Sequence, residues 1–339
     1  FLNVSDKLNT TMVLQMLGHF GNRNKDITTR AFTLKGISGG VKVVNDKPLD
    51  AMDSNLLSSI DRTLIKVLRD NFVNRETFIE NGVIDKSLYK INIPLGLSSS
   101  DGLKTVSRGS KLDIEFKDIL RLFVHWKARV DLDLSALFLD ENLKTIDRCA
   151  YYNLHTGKGS KYAIHSGDVR SAPQGGSEFV DIHIDKLPKN VRYIVMHVNS
   201  YSGQSCEDIP ELFAGYMNRE NESGKIYEPK TVEDKFTLTG SIASVTPFYI
   251  DLVNKEMVWC DDKGSNGAGR GVDDLVSLQR LFDVTNKKVI TIGELLELHS
   301  ENVITTDVYE LLNDEEKSQY KVFDKEFAFD IKEITSAYL

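Results

Sequence analysis

The run V-D-L-D-L-S-A-L-F-L-D-E (Val130–Glu141) decides most of what this sequence predicts about the fold. Acidic and apolar residues alternate at its start, and an almost unbroken apolar stretch follows. Side chains alternate between the two faces of a strand, so Asp131 and Asp133 lie on one face and the intervening leucines on the other. We predict a strand from Val130 to Leu139 with two carboxylates roughly 7 Å apart at their Cα atoms. A cation between them would relieve their repulsion, although an ordinary solvent-facing strand edge has the same pattern.

Two later turns add further carboxylates. In H-S-G-D (His165–Asp168), Gly167 permits a tight turn that directs Asp168, and the flexible turn G-G-S-E ends in Glu178. Calcium binds several carboxylate and carbonyl oxygens at about 2.3–2.6 Å. Three acidic segments that converge at one end of a β-sandwich would form such a site, although none of them has EF-hand spacing. The residues therefore predict an oxygen-only cation site rather than a nucleophile or a redox centre.

His165 near Asp168 also suggests acid–base chemistry. The sequence has no Ser or Cys nucleophile in an elbow motif, and no second His has metal-ligand spacing to His165. We therefore predict no catalytic residue and no enzymatic activity.

The composition is that of an ordinary globular protein, with 27% charged and 41% hydrophobic residues in 339. A net charge of -8 argues against nonspecific nucleic-acid binding, and no nucleic-acid partner is expected. The three cysteines (Cys149, Cys206 and Cys260) lack paired zinc spacing and fit a reducing cytoplasm. No apolar run approaches the roughly 20 residues of a membrane span. The chain begins at Phe1 rather than Met, so we expect the natural N-terminus to be missing.

Helical patterns flank the central region. The strongest is Ser54–Phe72, whose apolar residues recur at helical spacing after a capping Asp53 or Ser54. Residues 1–35 have a weaker helical pattern that ends before the glycine-rich G-I-S-G-G. After a second glycine-rich loop (264–271), helices are expected at Asp273–Phe282 and Thr291–His299, the second with a capping box of Thr291 and Glu294. The tail 307–339 is expected to be helical in part. We therefore divide the chain into an N-terminal extension (1–90), a strand-rich domain (91–262) and a C-terminal extension (263–339).

Between these extensions the sequence predicts many short strands. Ile119–Trp126 and Val180–Asp185 have strand character, and Val191–Val198 is apolar enough to be buried on both faces. Phe248–Leu252 and Glu256–Cys260 flank a hairpin turn at Asn254. The run L-F-A-G-Y-M-N-R, within a segment that has helical spacing, fits a helix or a strand by periodicity alone. Short strands separated by loops predict a mainly β fold of the sandwich type.

The order of these motifs resembles the TerD-domain family of tellurite-resistance and stress proteins. V-S-R-G-S-K-L (Val106–Leu112) is followed by L-F-V-H-W-K, the acidic strand, Y-Y-N-L and H-S-G-D. V-D-I-H-I-D-K-L-P, T-P-F-Y-I-D-L and M-V-W-C-D complete a pattern over roughly residues 103–262. The resemblance implies a TerD-like β-sandwich with calcium-binding acidic loops, in a larger subtype with N- and C-terminal extensions. Carried over by motif, the candidate metal ligands are Asp131, Asp133, Asp168 and Glu178, and L-F-A-G-Y-M-N-R becomes a strand.

The sequence departs from this family after H-S-G-D. Typical members have a run of acidic residues there, whereas this chain reads V-R-S-A-P-Q-G-G-S-E-F, with Arg170 added and only Glu178 retained. Because the charge of the ligands sets calcium affinity, calcium binding is expected to be weak, limited to one site, or lost.

Two functions follow from the residues and the resemblance. The first is a non-enzymatic, cytoplasmic, calcium-responsive binding module in stress response or tellurite resistance, with protein partners in a stress-response complex. The alternative is a metal-independent scaffold that binds a protein partner through its helical extensions. Peripheral membrane association and the oligomeric state are left open.

Overall fold

The computed structural model describes residues 8–27, 29–33, 41–45, 48–95, 106–157, 161–220, 232–238, 244–262 and 275–339. The predicted glycine-rich segments at 36–40 and 264–271 lie outside these ranges. Among the described helices, none combines the length and the apolar character needed to cross a membrane.

The N-terminal extension contains two helices, a hairpin and one further strand. Along the chain these are α1 (Thr10–Gly21), β1 (Thr29–Thr33), β2 (Val41–Asn45), α2 (Ser54–Phe72) and β3 (Ile79–Ile84). The predicted helix Ser54–Phe72 is confirmed at both ends, and the side chain of Asp53 caps it by accepting a hydrogen bond from Leu56 N.

The central region is a β-sandwich, as the sequence predicts. Its strands are β4 (Lys111–Asp113), β5 (Ile119–Ala128), β6 (Leu132–Leu139), β7 (Thr145–Ala150), β8 (Ala163–His165), β9 (Ala172–His183), β10 (Tyr193–Ser200), β11 (Leu212–Arg219), β12 (Val232–Thr237), β13 (Ser244–Asp251) and β14 (Glu256–Asp262). One antiparallel sheet has the order β4-β14-β13-β10-β6-β7, and the other has the order β12-β11-β5-β9-β8. The run L-F-A-G-Y-M-N-R is strand β11, which confirms the assignment made from the family resemblance.

Strand alternation builds the core between the two sheets. Every second residue of β5, from Leu120 to Trp126, is buried in the main hydrophobic cluster. Alternate residues of β6 and β10 join the same cluster, including Phe138 and Met196. Val195, on the opposite face of β10, packs in a second cluster with Leu278, Leu281 and Phe282 of the C-terminal extension. The predicted burial on both faces is therefore present at Val195, whereas Tyr193 and His197 on the same face are half-buried.

Two strand boundaries differ from the prediction. The acidic strand begins at Leu132 rather than Val130, so Asp131 lies in the connection that enters it. The strand predicted at Val180–Asp185 is the second half of the longer β9, and residues Ile184–Lys186 turn into a short 3-10 helix. Here the amide of Ile184 donates to the carbonyl of Asp118, which ends the regular pairing.

The C-terminal extension contains helices, as predicted, together with two strands that were not predicted. Its elements are α3 (Leu275–Thr285), α4 (Ile292–Leu298), β15 (Ser300–Thr305), α5 (Thr306–Glu310), α6 (Asp314–Lys317), β16 (Lys321–Phe323) and α7 (Ile331–Glu333). The capping box of Thr291 and Glu294 at the start of α4 is confirmed.

The two extensions form a common sheet. Strand β3 of the N-terminal extension lies between β15 and β16 of the C-terminal extension and pairs in parallel with both. Phe72 stacks on the buried His299 with ring centroids 3.6 Å apart. The extensions are therefore a joint α/β layer, whereas the sequence predicted only helices. Asn81 and Gly82 give β3 a turn-like sequence, so its strand conformation depends on partners more than 200 residues away.

Candidate metal centre

Three aspartates meet at one end of the sandwich. Each of Asp131, Asp133 and Asp168 offers a carboxylate oxygen, and these oxygens all lie within 4.8 Å of one another. Asp131 lies just before β6, Asp133 is the second residue of β6, and Asp168 lies in the turn between β8 and β9. The predicted convergence of the acidic strand with H-S-G-D is therefore present in the structure, with Asp133 buried and Asp168 exposed.

The cluster carries electrostatic strain that a cation would relieve. Burial raises the pKa of Asp133 to about 6, and repulsion from Asp131 and Asp168 adds to the increase. Burial, and then the charge of Asp168, also raises the pKa of Asp131. Among the described residues, Asp131 Oδ1 is a buried oxygen with no hydrogen-bond partner. An orphaned carboxylate oxygen that faces two other carboxylates fits the ligand set of a hard cation such as calcium.

Glu178, the fourth candidate ligand, lies behind the cluster rather than in it. Its side chain is fully buried, and its two oxygens accept hydrogen bonds from the backbone amides of Leu134 (2.9 Å) and Val169 (2.8 Å). Leu134 follows Asp133, and Val169 follows Asp168. Burial raises the pKa of Glu178 to about 7, while these two hydrogen bonds act in the opposite direction. Glu178 therefore holds together the two elements that carry Asp133 and Asp168.

His165 supports the same turn and is buried. Its Nδ1 accepts a hydrogen bond from the amide of Gly167 at 3.0 Å, so the ring proton lies on Nε2, which faces the carbonyl of Leu134 at 3.0 Å. Burial lowers the pKa of His165, which keeps the ring neutral. Gly167 has a φ of +98°, a conformation that favours glycine. His165 is thus a structural brace for the turn that presents Asp168.

Arg170 introduces a competing positive charge. Its Nε lies 2.9 Å from Asp168 Oδ2, while most of the Arg170 side chain is exposed. The guanidinium therefore competes with a cation for the carboxylate of Asp168. Because the ion pair is exposed, it is weak, and a divalent cation can displace it.

Asn199 is a site residue that the sequence did not indicate. It lies opposite Asp133 in the pairing of β10 with β6, and its side chain forms a hydrogen bond with that aspartate. Asn199 and Asp133 are 66 positions apart in the sequence (199 − 133). Their contact depends on the register between β10 and β6, which local sequence patterns do not predict.

Comparison with known proteins identifies the domain that carries these residues. Residues 92–240 match the model of the TerD domain. This part of the chain is similar to the TerD-domain family. The resemblance inferred from the order of motifs is confirmed, and all four candidate residues lie within the match. Strands β13 and β14 follow the matched range but pair within the same sheet of the TerD domain.

The TerD domain also has a curated relative. Over 116 residues the chain is 29% identical to the tellurium resistance protein TerZ of Serratia marcescens. The aligned region covers 34% of this chain and 58% of the relative, so the chain spans little more than half the length of the protein that it matches.

Two solved structures are similar to about 44% of the chain, each with a TM-score of 0.34. One is a protein of unknown function, 13% identical and covered over 94% of its length. The other is a homologue of the telluride resistance protein TerD from Streptomyces coelicolor A3(2), 9% identical and covered over 93% of its length.

Proposed function

We propose that this protein is a calcium-responsive, non-enzymatic binding module of a cytoplasmic stress-response or tellurite-resistance system. The convergence of Asp131, Asp133 and Asp168 within 4.8 Å is the observation that carries the proposal. The TerD-domain match and the curated name of the relative from Serratia marcescens support the biological context.

Calcium would join two separate parts of the chain. Asp131 and Asp133 belong to the entry of β6, and Asp168 belongs to the β8–β9 turn. A cation shared by these carboxylates would replace their mutual repulsion with attraction and fix the turn against the strand. The ordered end of the sandwich would then present a defined surface to a protein partner. Binding that favours the ordered state also raises the apparent stability of the fold.

Calcium titration of the metal-stripped protein by isothermal calorimetry tests this proposal, with magnesium as the ion control. We expect saturable binding of calcium together with a rise in the melting temperature. Asp131→Asn and Asp168→Asn should abolish both effects. Glu207→Gln removes one exposed carboxylate from the β10–β11 connection and should leave both effects intact.

A metal-independent scaffold is the second candidate function. The Arg170–Asp168 ion pair and the scarcity of acidic residues between Asp168 and Glu178 favour it. In that case the joint layer formed by the extensions would bind the partner. A flat calorimetric trace at millimolar calcium would support the scaffold and contradict the calcium proposal.

A further inference from the structure

Exposed apolar side chains lie at the same end of the sandwich as the three aspartates. Tyr151, Tyr152, Leu154 and Tyr201, here called the aromatic rim, are 40%, 59%, 39% and 73% exposed. They come from two connections, β7–β8 and β10–β11. Backbone hydrogen bonds attach both connections to the site, from Tyr201 N to the carbonyl of Asp131 (3.0 Å) and from His165 N to the carbonyl of Leu154 (2.9 Å).

The rim lies at the end of the sandwich opposite an attachment point of the extensions. Strand β6 runs from the aspartates to Leu139, which pairs with Tyr193 at the far end of β10. Tyr193 in turn pairs with Asp251 of β13, and Asp251 pairs with Glu256 of β14. At that far end, Lys90 of the N-terminal extension contacts Glu256 at 2.8 Å.

Charge at the rim depends on the cation. The three aspartates exceed the positive charge of Arg170 by two units, and a divalent cation offsets this difference. Arg148 adds another guanidinium, which donates to the hydroxyl of Tyr152 at 3.1 Å. A bound cation therefore reduces the repulsion between this end of the sandwich and an anionic surface.

Three aspartates also leave the cation with open coordination positions. Calcium takes about six to eight oxygen ligands. Glu178 is fully buried and hydrogen-bonded to two backbone amides, so it is held away from the cation. Anionic oxygens from outside the protein can complete the shell at the exposed Asp168 side.

Taking these observations together, and resting on calcium binding as proposed above, we infer that the aromatic rim docks on an anionic lipid membrane, with lipid phosphate oxygens completing the coordination of the cation. Tyrosine has an apolar ring and a polar tip, which suits the headgroup level of a bilayer. The rim side chains come from two separate connections. This arrangement suits contact with a broad, deformable surface such as a membrane. Peptide recognition more often uses a groove or a free strand edge.

Co-sedimentation of the full chain with vesicles tests this inference. We would compare vesicles of phosphatidylcholine alone with vesicles that also contain phosphatidylserine, in calcium and in chelator. The test variant is Tyr152→Ser/Tyr201→Ser. Its matched control is Val253→Ser, because Val253 is 67% exposed in the β13–β14 hairpin at the opposite end. Calcium titrations without vesicles and melting temperatures accompany every variant.

We expect the parent and Val253→Ser to sediment with phosphatidylserine vesicles only in calcium. The tyrosine variant should lose sedimentation while its calcium titration and melting temperature stay unchanged. A parent that binds calcium yet stays in the supernatant, or a tyrosine variant that sediments like the parent, would overturn the membrane inference and leave the calcium proposal standing. Calcium-dependent binding to a soluble polyglutamate peptide in place of vesicles would overturn it in favour of an acidic protein partner. A flat calcium titration would instead reject the calcium proposal on which the inference rests.

Discussion

Glu178 accepts a hydrogen bond from the backbone amide of Leu134, with 2.9 Å between nitrogen and oxygen. Because Leu134 follows Asp133, this buried carboxylate fixes the strand at the point where it presents a candidate ligand. The other oxygen of Glu178 performs the same role for the turn that carries Asp168. The spacing of the aspartates therefore depends on a residue that lies outside their cluster.

Removing the Glu178 carboxylate should weaken both the fold and the site. Glu178→Ala leaves the amides of Leu134 and Val169 buried without acceptors, which should lower the free energy of unfolding by roughly 2–4 kcal/mol. Calcium affinity should fall as well, because Asp133 and Asp168 lose their common support. Glu178→Gln retains one acceptor oxygen, so its free energy of unfolding and its calcium affinity should both be higher than those of Glu178→Ala. Urea unfolding and calorimetry measure them, and unchanged affinity in Glu178→Ala would contradict the positioning role.

The stability of the metal-free protein should fall as the pH rises. Asp133 has a pKa of about 6 and Glu178 one of about 7, both raised mainly by burial. A raised carboxyl pKa stabilises the fold below the ordinary carboxyl pKa, and this contribution is lost as the pH passes through the raised value. We expect the free energy of unfolding to decline from about pH 4, near the ordinary carboxyl pKa, to about pH 7, and Asp133→Asn should remove the part of the decline between about pH 4 and pH 6.

Calcium affinity should rise as the pH rises over the same range. The cation binds ionised carboxylates, so protons compete with it until Asp133 has titrated. Calorimetry across this pH range, in buffers of different ionisation enthalpy, measures affinity and proton release together. Affinity that does not rise with pH would mean that Asp133 is not a ligand.

Arg170→Ala should increase calcium affinity. The ion pair with Asp168 competes with the cation, and the exposed arginine contributes little to the fold. The expected gain is a few-fold and should shrink at high salt, where the competing pair is already screened. Lys127→Ala is the control, because it removes an exposed positive charge from the end of β5 without removing the ion pair. A loss of affinity in Arg170→Ala would show that the guanidinium supports the site.

The buried pair of Arg121 and Asp181 should be sensitive to removal of one partner. Arg121 Nε lies 2.6 Å from Asp181 Oδ1, and both side chains are almost fully buried. Asp181→Ala removes the carboxylate that pairs with this buried guanidinium and should cost about 3–5 kcal/mol in urea unfolding. Arg121→Met/Asp181→Leu removes both charges and should recover much of that loss. A double variant that is less stable than Asp181→Ala would contradict this account.

Gly293→Ala should destabilise the protein despite the higher helix propensity of alanine. In an unconstrained helix interior the change would stabilise by about 1 kcal/mol. In α4, however, an added Cβ would lie 2.7 Å from the ring of Tyr89, so the helix must move away from the segment that precedes the TerD domain. Combining Gly293→Ala with Tyr89→Ala should reduce the penalty of the glycine substitution. If Gly293→Ala lowers the free energy of unfolding equally with and without the Tyr89 ring, a contact other than Tyr89 prevents a side chain at position 293.

Local patterns predicted much of the fold. The helix Ser54–Phe72, the capping box at Thr291 and the strand predicted at Ile119–Trp126 each depend on neighbouring residues, and the structure contains all three. The joint sheet of the extensions was not predictable in this way. Strand β3 contains Asn81-Gly82, and its partners β15 and β16 are short, so only pairing across the chain makes these segments strands.

The same distinction between local and long-range determinants applies to the candidate site. By itself the sequence determined the β-sandwich, the alternation that places Asp131 and Asp133 on one side of the chain, and the glycine turn before Asp168. These features follow from residue types and from a period of two, which are local properties. Tertiary structure alone decided that Asp168 meets the other two aspartates, that Glu178 accepts hydrogen bonds from backbone amides, and that exposed tyrosines lie at the same end of the sandwich. Strand register and loop packing between distant segments set those relationships. A local sequence pattern does not predict them, because they depend on contacts between residues far apart in the chain.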